Sequence, residues 1–193
     1  YVLKSGDAPR SLKSADVNAD CKINIIDIVF IVEFIFRGGP IPKPGCVVLL
    51  TAGKNLAPKE TATLGWGTQK LIKNNLVEIP IQAEFSSTLA AAMFRVQFDP
   101  LVLKALEPQL TDRSQNLSLY YNIKDNQMTI GILDINGQNY VSAGTGPLVT
   151  LRFENQTTLP LNTSSLRIIH SELVNPSAQL LEVKNLKERV SAR

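Results

Sequence analysis

V-E-I-P-I-Q-A-E-F, residues 77–85, sets Val77, Ile79, Ile81 and Ala83 against Glu78, Pro80, Gln82 and Glu84. A period of two sends successive side chains to opposite faces, so this stretch predicts a strand with one face in a core. Phe94, Val96 and Phe98 alternate in the same way with Arg95 and Gln97. Further strands are expected over 127–133, 148–154 and 165–169. Turn residues stand between them at Asp99-Pro100, Asp125-Asn126, Asn136-Gly137 and Gly144-Thr-Gly-Pro147. Short strands separated by such turns predict an antiparallel β-sandwich.

The first 45 residues carry a different period. D-V-N-A-D-C-K-I-N-I-I-D, residues 16–27, places oxygen-bearing side chains at positions 1, 3, 5, 9 and 12 of a twelve-residue loop, and an apolar helix follows. This is EF-hand-like spacing for Ca2+. Asp16, Asn18 and Asp20 would converge from one side, and Lys22 would offer its backbone carbonyl. Asn24 would bind directly or through water, and Asp27 would close the shell. A polar turn that merely caps the helix is the simpler reading of the same residues. Cys21 occupies position 6, where glycine normally supplies a positive φ, so local strain is expected there. Asp27 is shorter than the usual glutamate and requires the helix to approach the ion more closely.

Cys21 and Cys46 are the two cysteines of the chain. They are either a disulfide or two separate buried thiols. Closing a loop of that length would stabilise by about 3 kcal/mol and would imply an oxidising, extracytoplasmic setting. From 26 to 36 only Asp27 and Glu33 are polar, so the helix must be covered on more than one side. Pro40 to Gly45 then reads as a stiff linker of about 20 Å at most, which keeps the helix near the sandwich. The helix is therefore expected to pack on the sandwich of its own chain or of a neighbour.

Residues 1–10 superimpose on residues 34–43 at a constant offset of 33, in aromatic, aliphatic, basic, glycine and proline positions. The chain is thus expected to open in the last turn of a first repeat whose loop lies upstream. D-x-N-x-D-x-x-I-N-x-x-D, an aliphatic helix and G-G-P-x-P resemble a dockerin, the calcium-dependent plug that attaches extracellular proteins to cohesin receptors. The resemblance covers Tyr1 to about Cys46. It implies a partner-binding surface of Ile25 and Ile26, at loop positions 10 and 11, with Val32, Glu33 and Arg37 further along; core packing is the competing reading of these residues.

Downstream, V-E-I-P-I-Q-A-E-F, A-A-M-F-R-V-Q-F-D-P-L-V-L-K, M-T-I-G-I-L-D and G-P-L-V-T-L-R-F are similar in order and spacing to a cohesin module, from about Glu60 to Val183. That resemblance implies a nine-stranded jelly-roll sandwich whose flat face receives dockerin. The expected organisation is a partial dockerin-like unit with its linker over 1–45 and a cohesin-like sandwich over 46–193. The fold class is mainly β, an antiparallel jelly-roll sandwich with a small α-helical calcium loop–helix unit. The partner would be a protein of cohesin or dockerin type, this chain itself or another copy included.

Other functions find less support. The formal charge of +3 is dispersed, with no basic stripe for nucleic acid, and no apolar run is long enough to span a bilayer. His170 is the sole histidine and ends the alternating segment L-R-I-I-H, where a structural or exposed role is expected; no histidine metal pair can form, and no enzyme is expected. A carbohydrate-binding sandwich is the alternative, with Trp66, Tyr120 and Tyr121 stacking on sugar rings; plain packing of these aromatics is the competing reading. The expected location is extracellular or at the cell surface.

Overall fold

The computed structural model describes residues 12–46, 60–72, 75–157 and 165–185. Helices α1 (Leu12–Ala15) and α2 (Ile25–Arg37) precede strands β1 (Thr61–Trp66), β2 (Lys70–Leu71), β3 (Leu76–Phe85), β4 (Ala91–Phe98) and β5 (Leu103–Leu110). Then follow β6 (Ser118–Lys124), β7 (Gln127–Leu133), β8 (Gly144–Asn155), β9 (Leu166–Val174) and β10 (Glu182–Asn185). One sheet runs β10-β1-β3-β8-β5, with β2 also paired to β3, and the other runs β6-β7-β4-β9. Ladders are antiparallel except where β10 closes on β1 in parallel.

The alternation at 77–83 does what it predicts. Val77, Ile79, Ile81 and Ala83 are buried and meet Phe94, Val96, Met128, Ile130 and Ile132 of the other sheet in one core. Phe98 and Phe153 join the two layers with ring centroids 5.6 Å apart. Strand β7 coincides with the expected 127–133. The turn expected at 144–147 is instead the start of β8, where Gly144 to Pro147 pair with Gln82 to Phe85. Gly144 carries its positive φ at the strand's first residue, so the signal marked an entry rather than a reversal.

That end of the sheet is fastened by Arg113. Its Nη1 donates to the carbonyls of Ala83 (2.9 Å) and Gly146 (3.1 Å), and its Nη2 to those of Ser142 (3.0 Å) and Gly144 (2.6 Å). The guanidinium also lies 4.2 Å over the Phe85 ring. Desolvation by burial lowers its pKa, but an arginine stays charged. A second knot forms at Asp134. Its Oδ1 accepts from the Asn136 N–H, and its Oδ2 from the N–H groups of Gln138 and Asn139 and from Asn139 Nδ2. Burial raises the Asp134 pKa, the four donors lower it, and the donors win, leaving it below the ordinary value.

In the N-terminal unit, residues 40–46 are not the spacer expected from their prolines. Lys43 N donates to Val17 O (2.9 Å) and Gly45 N to Lys13 O (3.0 Å), so the segment returns along the start of the loop. Proline fixes an extended path without saying what that path lies against. Gly45 is required here, because a Cβ would stand 2.3 Å from Lys13 O. Cys46 is joined to Cys21 by a disulfide (Cα–Cα 5.2 Å), which fastens residue 46 to the small unit. No helix among the described residues is long and apolar enough to cross a membrane.

Two outcomes follow. Arg113→Lys keeps the charge but cannot reach four carbonyls in a fork, and urea denaturation should show a loss of about 2 kcal/mol. Asp134→Asn should lower stability by about 1–2 kcal/mol at neutral pH. A depressed carboxyl contributes above its unfolded pKa, so this difference from wild type should be full above about pH 4 and shrink as pH falls through the depressed value.

Candidate functional site

The candidate site is where α2 meets the outer face of the four-stranded sheet. Strand pairing arranges that face in rows. Val174, Ala91, Leu133 and Ser118 form one, and Glu172, Met93, Gly131 and Tyr120 the next. A third row, His170, Arg95, Thr129 and Asn122, turns polar. The helix sits on the apolar end. Ile25, Ile26 and Val29 bury against Ala90, Ala91, Met93, Leu133 and Val174, with Ile28, Tyr120, Tyr140 and Leu180 at the margin. Small side chains at Ala90, Ala91 and Gly131 leave room for a helix to approach closely.

Two polar contacts fix the helix along this trough. At its first residue, Ile25 N donates to Glu172 Oε2 at 3.4 Å, setting a carboxylate against the positive end of the helix dipole. Eight residues on, Tyr140 Oη donates to Glu33 Oε1 at 2.7 Å. The Asp134 knot holds the loop that presents Tyr140. Glu172 Oε1 also lies 3.2 Å from His170 Nε2. Val29, Val32 and Glu33 of the helix line a small crevice at the junction together with Leu133 and Tyr140.

Of the residues expected to meet a partner, Ile25, Ile26 and Val32 are buried and Glu33 is half-buried, on the chain's own sheet. The Arg37 side chain lies outside the described residues. The opposite side of α2 is open, with Ile31, Phe34 and Ile35 exposed. Trp66 packs on the main core and Tyr120 on the cluster beneath α2. Sequence reasoning missed Glu172, Tyr140 and the alanine seat. Its available signal was the run from Leu89 to Phe94, apolar without alternation, which marks a strand covered on both faces.

The loop before α2 is folded by its own side chains. Asp16 Oδ1 accepts from Asp20 N, and Asp16 Oδ2 from the N–H groups of both Cys21 and Cys46, each at 3.1 Å. Asn18 Oδ1 accepts from Asp20 N (3.0 Å), and Asp20 Oδ1 from Lys22 N (2.9 Å). Asn24 caps α2 through Ile26 N (2.7 Å), and Asp27 answers through Asn24 N (2.9 Å), a capping box. The other Asp27 oxygen accepts from Val17 N (2.9 Å). Ala19 and Cys21 both take positive φ, 61° and 67°, so residue 6 of the loop adopts the glycine-like conformation despite its side chain.

By type, these hard oxygen donors suit calcium. Asp16 and Asp27 are buried, and burial foremost, with the charge of Asp20, pushes the Asp27 pKa up against the donors from Asn24, Val17 and Asn18. None of the ion pairs among the described residues involves these three acids. A cation would relieve that charge. Their carboxylates are engaged with backbone N–H groups rather than gathered on one point: among the described residues no three acid, histidine or cysteine side chains form a metal-holding group.

No curated protein matches this chain. Among solved structures, a non-cellulosomal cohesin from the archaeon Archaeoglobus fulgidus aligns at 18% identity over 65% of this chain and 86% of its own, with a TM-score of 0.50. A chain of the Coh-OlpA–Doc918 type I cohesin–dockerin complex from Clostridium thermocellum aligns at 15% identity, over 65% and 94%, with a TM-score of 0.54. The complex of the sixth cohesin of Acetivibrio cellulolyticus scaffoldin B with Cel5 dockerin gives 17%, 65%, 94% and 0.53. At these identities the likeness is one of fold, the cohesin-like β-sandwich. The Cohesin domain family matches residues 69–190, which leaves the loop–helix unit outside the match and takes in more than half of the sequence. By that match the chain belongs to the cohesin family, a noncatalytic protein–protein interaction module.

Proposed function

We propose that this chain is a calcium-dependent interaction module of extracellular assemblies, in which the cohesin sandwich is the receptor and the loop–helix unit a dockerin-like plug. The observation that carries the reading is the seating of α2 on the outer face of the β6-β7-β4-β9 sheet. A receptor face should present an apolar, shallow, sharply bounded area, and this one does so between Tyr120 and Val174. The partners are dockerin-type proteins, as in the cohesin–dockerin complexes it resembles. The Cys21–Cys46 disulfide supports an oxidising, extracellular location.

Asp16, Asn18, Asp20, the Lys22 carbonyl, Asn24 and Asp27 would hold the calcium. The ion supplies positive charge to a loop that carries three carboxylates. The residues themselves do the rest: Asn24 and Asp27 cap α2 and aim it at the sheet, and Asp16 ties the loop to both cysteines. Stiffening the loop therefore stiffens the helix that bears Ile25 and Ile26.

Calorimetry should register calcium uptake by the oxidised full chain and, at about a hundredfold excess over Kd, a stabilisation near 2.7 kcal/mol. Asp20→Ala should remove both. Equal melting in calcium and in chelator, with no heat of binding, would sink the calcium reading. For the receptor, the chain with Ile26→Asp and Val29→Asp, which free the sheet face that α2 covers, should be retained on immobilised type I or type II dockerin, and failure on both would remove the dockerin-type partner.

A further inference from the structure

We infer that α2 is an exchangeable cap: in each copy it closes that copy's own seat, and it can fill the same seat on a second copy once its own is blocked. The inference rests on the reading of the outer sheet face as the receptor surface, and it concerns how that surface is regulated.

Three observations carry it. The first is mutual exclusion. Ile25, Ile26 and Val29 are nearly inaccessible, and the side chains they cover, Ala91, Met93, Leu133 and Val174, are hidden in the same contact. Plug and seat are thus used up on each other, and neither is available in trans while the contact holds.

The second is specificity. Glu172 meets the backbone N–H at the helix start, and Tyr140 meets Glu33 eight residues on, roughly 12 Å along the axis. Apolar contact alone would let the helix slide or reverse. These two contacts at opposite ends select one direction and one register, which any identical copy of α2 satisfies equally. Every copy carries both halves of the match, which makes a second copy the occupant that the seat already fits.

The third is separability. The bonds that shape the plug are internal to it: the capping box, the Asp16 contacts, Gly45 against Lys13, and the disulfide. None of them crosses to the sandwich. Residues 47–59, thirteen in number, join Cys46 to Glu60, a contour of about 40 Å. The plug can therefore leave as a folded body. Tethering gives the cis contact an effective concentration in about the millimolar range, so at micromolar protein the closed monomer wins.

The test uses two full-length, oxidised variants. In the plug variant Ile26→Asp and Val29→Asp spoil the helix face and leave the seat intact. In the seat variant Ala91→Arg and Tyr140→Phe spoil the outward side of the sheet and leave α2 intact; Met93→Glu serves as an independent seat lesion. All these positions face away from the main core, so each variant should keep the sandwich's melting transition. Sedimentation velocity should find each variant alone as a 21.2 kDa monomer. Mixed at about 50 µM, well below the tethered concentration, the two should form a 1:1 heterodimer that wild type mixed with wild type does not.

That heterodimer should vanish when Ile26→Asp is added to the seat variant. Absence of a heterodimer between folded variants, with both seat lesions, overturns exchange, and so does one that survives the added Ile26→Asp. Retention on immobilised type I or type II dockerin separates the two readings. A plug variant that is retained there but never pairs with the seat variant overturns exchange alone; one that does neither overturns the receptor reading as well.

Discussion

A four-stranded sheet that is apolar on both sides at one end is the constraint on which this molecule depends. Ala92, Phe94 and Val96 of β4 face the main core, while Ala91 and Met93 of the same strand face outward beside Leu133 and Val174. Open sheets of sandwiches normally turn polar on the outside, and this one does so from Arg95 onward. Left bare, the apolar end would be a sticky patch. The helix is the cover, seated through Ile25, Ile26 and Val29.

The same contact works in the other direction. Residues 12–46 are too few to bury a core of their own. A disulfide and a web of carboxylate-to-backbone bonds shape them instead, and the sheet beneath α2 covers the apolar helix face. Two residues in left-handed conformation, Ala19 and Cys21, each add an unfavourable term of about 1–2 kcal/mol. The disulfide and Asp16 offset it at the position where the turn is tightest.

How much was legible in the sequence follows from how each element is buried. Strand β3 is covered on one face and shows the period of two; β7 is readable for its length and its flanking turn. Strand β5 ran unnoticed because it lies at a sheet edge, contains Pro108, and slips register between Leu106 and Gln109. Strand β6 was missed because its residues are half-exposed on both sides, which erases the contrast that periodicity needs. The helix is one residue longer at each end than its apolar run suggests, since Asn24 caps it and Gly38 ends it with a φ of 67°. Loop residues Asp16 to Asp27 announced a calcium-type turn, but spacing could not say that Asp16 and Asp27 would turn to backbone N–H groups. The seat itself was hidden in plain composition. Alanine carries little hydrophobic signal, and its value here lies in the room it leaves.

The return of residues 43–45 alongside residues 13–17 has a mechanical side. The polypeptide enters and leaves the small unit at nearly one place, held there by Lys43 to Val17, Gly45 to Lys13 and the Cys21–Cys46 bridge. A pull along the chain is therefore taken up where these two segments lie together, and the bridge stops extension after the first bonds part. The stretch between Cys21 and Cys46, α2 included, hangs to one side of the line of force, so a chain under tension can keep its helix folded.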